Sequence, residues 1–73
     1  MTEELRKAKR EEFRKVCCML HDVKQYAIHF GEYSEGVRMG HTQLKDQAKA
    51  EEASMEATTI DLLNYINQII EEN

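Results

Sequence analysis

Apolar residues in the first half of the chain fall at Phe13, Val16, Leu20, Val23, Ala27 and Phe30, at alternating intervals of three and four. That rhythm is the a/d seam of an amphipathic helix, with Leu5, Met19 and Tyr26 flanking it on one side. Thr2 is placed to cap the helix, and Glu3 and Glu4 suit the positive end of its dipole. Glu3 with Lys7, and Glu11 with Lys15, add i,i+4 pairs in the favourable direction. The pattern predicts a helix over residues 2–30. Gly31 would end it, because glycine takes a left-handed conformation at a helix terminus without steric cost.

Gly31, Gly36 and Gly40 fall within ten residues, and the chain has no proline. Glu32 to Gly36 reads as a turn, with Ser34 capping a second helix over residues 34–72. Apolar positions there are Val37, Leu44, Ala48, Met55, Leu62, Leu63, Ile66, Ile69 and Ile70. Thr58-Thr59-Ile60-Asp61 resembles a capping box, but neither Gly nor Pro stands there to enforce a break. The fold class expected is all-α: one domain over residues 1–73, folded as a two-helix antiparallel hairpin. Its seam core would be Phe13, Val16, Leu20, Val23, Phe30, Leu44 and Met55.

The same rhythm continues past Phe30, through Ser34, Val37, His41, Leu44, Ala48, Glu51, Met55, Thr58, Leu62, Tyr65 and Ile69. One continuous helix in an extended coiled coil is therefore the competing architecture. Three glycines inside it would cost about 0.8–1 kcal/mol each relative to alanine, which favours the hairpin.

Folding the chain back about residue 34 would set Ile60 to Ile70 beside residues 1–10, whose apolar side chains are Met1, Leu5 and Ala8. Leaving four large side chains wet forgoes on the order of 6–12 kcal/mol, more than a small domain has to spare. A second copy is expected to cover them, pairing two hairpins into a dimeric four-helix bundle. The interface expected on this reading is Leu62, Leu63, Ile66, Ile69 and Ile70. Charge agrees with the folding-back. Residues 1–15 carry six basic and four acidic side chains, and residues 46–73 carry one basic and seven acidic.

Composition narrows the function classes. The chain has 73 residues, 41% hydrophobic and 33% charged, with net charge −4. Such a chain is neither disordered by composition nor membrane-spanning, and its longest apolar run is Val16 to Leu20. It is too small to wall off a water-excluding pocket by itself, so no enzyme activity and no cofactor are expected. The N-terminal residues lack the apolar stretch of a secretory leader. Cys17 and Cys18 are adjacent, and neighbours on a helix point about 100° apart, so they cannot bond to each other. Reduced thiols in a cytoplasmic chain are the expectation.

Cys17 and His21 share a helix face, as a pair of metal ligands would. Beside an apolar stripe, however, Cys17 reads as a small hydrophobe, and no metal is expected. Glu32-Tyr33-Ser34-Glu35 has the spacing of a magnesium half-site, but no partner motif follows it. Arg6, Lys7, Arg10 and Arg14 form a candidate basic contact face, interrupted by Glu11 and Glu12 and preceded by Glu3 and Glu4. Nucleic acid is therefore not the favoured partner. The expected role is a small non-enzymatic protein–protein interaction module, a regulator, adaptor or inhibitor, whose partners are itself and a further protein. The alternatives are a nucleic-acid-binding accessory protein using that basic face, and a structural coiled-coil oligomerisation element.

Overall fold

The structure, a computed structural model, describes residues 2–72; Met1 and Asn73 lie outside the described residues. It is all-α. Helix α1 spans Glu3–Arg38, a 3₁₀ turn spans Thr42–Leu44, and helix α2 spans Lys45–Glu72. The described residues contain no strand. Among the described residues, no helix is long and apolar enough to cross a membrane.

The start of α1 is the expected one. Thr2 is extended, and its Oγ1 accepts a hydrogen bond from the Leu5 backbone N–H at 3.2 Å. The end is not. The helix runs through Gly31 and Gly36 to Arg38, eight residues past the expected stop at Phe30, and α2 begins at Lys45 rather than Ser34. Of the three glycines only Gly40 has positive φ, at 105°. Around it the Gly40 N–H donates to the Val37 carbonyl, and the His41 N–H donates to the Gly36 carbonyl at 2.9 Å. These are the two bonds of a Schellman motif, which satisfies the last carbonyls of a helix.

Packing explains why the chain passes over the earlier glycines. Continuing α1 to Arg38 brings Tyr33, Ser34 and Val37 to half-buried positions. Gly36 also gives Leu44 a seat on the helix: a Cβ there would come within 2.5 Å of Leu44 Cδ1. These contacts offset a glycine penalty of about 1 kcal/mol per position. At Thr58–Asp61 the helix does not break. Thr59 Oγ1 donates to the Met55 carbonyl at 2.7 Å, one turn back, so the hydroxyl is satisfied within α2.

Moving the turn changes the register. Lys15 lies over the Tyr65 ring, 4.4 Å from its centroid. His29 Nδ1 is 3.8 Å from Glu51 Oε2, and Gly36 seats Leu44. In each pair the two residue numbers add to 80, so positions along α2 run in the reverse order of those they meet on α1. A turn six residues later slides this pairing by about twelve. Ile60 to Ile70 thus stands level with residues 10 to 20, not 1 to 10. The new register gives that segment apolar partners, since Phe13 and Val16 line one groove with Ile66, Ile69 and Ile70, yet Ile60, Leu63 and Ile70 remain exposed.

The seam is also rotated from the expected one. The large apolar side chains half-buried on α1 are Val16, Met19, Val23, Tyr26, Phe30, Tyr33 and Val37. Phe13 and Leu20, expected in the core, are 69% and 52% exposed. The first helix is apolar at a, d and e of its heptads, a stripe wider than one neighbour covers. Met19 and Tyr26 took the second seam position, and Phe13 and Leu20 were left outside it. Opposite it the seam is Leu44 of the 3₁₀ turn and Ala48, Glu51, Met55, Thr58, Leu62, Tyr65 and Ile69 of α2, and of these only Ala48 and Leu62 are buried.

Candidate interaction surface

Two helices side by side make a single layer, 58 × 19 × 11 Å along its principal axes. Its radius of gyration is 16.9 Å, against about 11 Å for a globular chain of this length. Exposed surface is 5815 Å², where a globular monomer of this mass would expose roughly 4,700 Å². A single layer has two broad faces, and in this chain they differ.

On one face, residues at e and b of each heptad line up beside the seam. At the end away from the turn these are Phe13, Cys17 and Leu20 of α1, with Leu63, Ile66 and Ile70 of α2. Phe13 meets Ile66 and Ile70 across an open groove of about 300 Å³, walled almost wholly by apolar atoms. Farther along the same face Val23, Met55, Thr59 and Ile60 line a second apolar groove, with Glu56 at its rim. Closer to the turn the face becomes polar, with Ser34, Lys45, Lys49 and Glu52 around Phe30 and Val37. The opposite face is polar where the first is apolar. There Lys15, Asp61, Asn64 and Gln68 surround the edges of Met19 and Tyr65.

This geometry redistributes the residues expected at an interface. Leu62 is 5% exposed and packed within the chain, so it offers nothing to a second molecule. Ile69 is half-buried in the seam. Leu63 and Ile70 stand out at 54% and 65% exposed, and Ile66 is half-buried beside them. Phe13 and Leu20 join these on the same face. Sequence reasoning had placed them inside, although the breadth of the apolar stripe on α1 was already visible as Met19 and Tyr26 flanking the seam. Val16, Val23, Phe30, Leu44 and Met55 are half-buried.

Of the chemical candidates, Cys17 lies on this same face. Arg6, Lys7, Arg10 and Arg14 are all exposed, while Lys9 is 3.8 Å from Glu12. Cys17 and Cys18 are free thiols, both exposed. Among the described residues no group of three or more His, Cys, Asp or Glu side chains could hold a metal ion. Glu32 and Glu35 lie in the last turns of α1 rather than in a loop, and Glu35 is bound to Arg38. Glu51 is the anomaly. Its Oε2 is buried without a hydrogen-bond partner, and His29 approaches no closer than 3.8 Å.

The chain matches no protein-family model, no curated protein and no solved structure.

Proposed function

We propose that the chain is an antiparallel helical hairpin that pairs with a second copy into a four-helix bundle and serves as a non-enzymatic protein–protein interaction module. The observation that carries this reading is the continuous apolar strip of Phe13, Leu20, Leu63, Ile66 and Ile70 on one face of a one-layer molecule. A strip of this kind, with a polar rim and a polar reverse face, is the surface of a protein that binds another protein. Area supports a second copy as the occupant. The layer exposes roughly 1,100 Å² more than a globular monomer would, and a stable dimer buries about 800 Å² per partner. Stacking two such layers turns a half-buried seam into the interior of a bundle. A rigid helical bundle then has its outer faces free for a further partner, in the manner of a regulator, adaptor or inhibitor.

Sedimentation equilibrium tests the pairing. The wild type should be a dimer at tens of micromolar. Leu63→Asp, which places a carboxylate in the strip without touching the intrachain seam, should be monomeric, because burying an unpaired charge costs more than the contact gains. A wild type that is monomeric and fully helical at that concentration refutes the reading. Exposure of Arg6, Lys7, Arg10 and Arg14 on one helix favours nucleic-acid binding as the second reading. Retention on DNA that survives moderate salt would support it, and elution at low salt would leave the first.

A further inference from the structure

The geometry points to one mode of pairing: two copies meet with their turns at the same end, so that α1 of each lies over α2 of the other. This rests on the self-association proposed above and adds its direction. The apolar strip occupies the end of the rod away from the turn, while the same face near the turn carries Lys45, Lys49 and Glu52. Only two twofold arrangements lay strip on strip.

In the first the axis runs along the rod, and levels are kept. Each α1 residue then meets, on the second copy, the α2 residue that stands level with it in its own chain. By the register fixed by Lys15 with Tyr65 and His29 with Glu51, Phe13 meets Ile66 and Ile70, Leu20 meets Leu63, and Lys24 meets Glu56. The basic first fifteen residues also lie over the acidic end of the second copy's α2. In the second arrangement the axis crosses the rod, and α1 runs over α1 in reverse. Centring strip on strip puts Phe13 on Leu20. Lys24 then falls against Lys9 and Arg10. Apolar contact is similar in the two, but facing like charges are disfavoured, and so charge selects the first.

Electron–electron distance measurement decides between them. A chain carrying Cys17→Ala, Cys18→Ala and Gln43→Cys takes one nitroxide label beside the turn, and sedimentation equilibrium first establishes that it is a dimer. Turns at the same end should give a label separation under about 30 Å, since packed helices lie 8–10 Å apart. The crossed arrangement puts the turns about 70 Å apart at 1.5 Å per residue, and any separation above about 50 Å overturns the proposal while leaving self-association standing. A labelled chain that is monomeric where the wild type is a dimer sends the question to a charge swap in the native background. Lys24→Glu should loosen the dimer about tenfold, because the twofold axis makes one substitution break the Lys24–Glu56 attraction on both sides of the interface. Adding Glu56→Lys to the same chain should restore it. If Lys24→Glu tightens the dimer, or leaves it unchanged, the pairing is wrong. A monomeric wild type overturns self-association itself, and this proposal with it.

Discussion

Glu51 occupies a seam position where its neighbours along the helix are Ala48 and Met55, and its buried Oε2 has no hydrogen-bond partner. An unsatisfied buried acceptor costs about 1–3 kcal/mol. Glu51→Leu removes that cost and adds apolar surface to a thin seam. The melting temperature followed by circular dichroism should rise, by about 4–8 °C for each kcal/mol in a chain of this size. The glycines divide just as sharply. Nothing lies within 4 Å of a Cβ built on Gly31, so Gly31→Ala should stabilise the protein by about 1 kcal/mol in urea denaturation, the helix-propensity difference. Gly36→Ala has the same propensity gain, but its Cβ would collide with Leu44. It should be neutral or destabilising. Equal stabilisation at both sites would mean that Leu44 does not seat on the helix.

At the scale of elements, the two faces of α2 differ in what they contribute. Leu62 is buried between the helices, whereas its neighbour Leu63 faces outward. Leu62→Ala should therefore cost the 2–4 kcal/mol expected of a core truncation, while Leu63→Ala should leave the single chain's stability within about 0.5 kcal/mol and weaken pairing instead. Denaturation at low micromolar and sedimentation equilibrium at higher concentration separate the two effects. Helical spacing made the cap at Thr2 legible in advance, along with the two helices and most of the seam, Val16, Val23, Phe30, Leu44 and Met55 among them. The turn was not. Three glycines offered equal local signals, and the choice of Gly40 depended on contacts of Tyr33, Val37 and Leu44 that exist only after folding. The rotation of the seam was hidden for a related reason. Local spacing shows that α1 is apolar over three heptad positions, but which two of them are covered depends on the partner helix.

For the whole molecule, the decisive fact is thickness. Among the described residues, one layer of two helices buries only Ala48 and Leu62, which is a small core for 73 residues. Pairing and folding should then be coupled, so the melting temperature should rise with protein concentration, several degrees for each tenfold step by mass action. A melting temperature independent of concentration between about 1 and 100 μM would show that one layer is self-sufficient. The register has a kinetic consequence as well. Contacts at the turn, such as Gly36 with Leu44, close loops of a few residues, but the richest apolar cluster joins Phe13 to Ile66 across nearly the whole chain. Closing that longer loop directly costs only about 1.7 kcal/mol more in chain entropy, because the cost grows with the logarithm of loop length. That is similar to what one large buried side chain contributes. Nucleation at the free ends therefore competes with zipping from the turn on nearly equal terms. Two folding routes of similar height are built into a chain that has a single hinge.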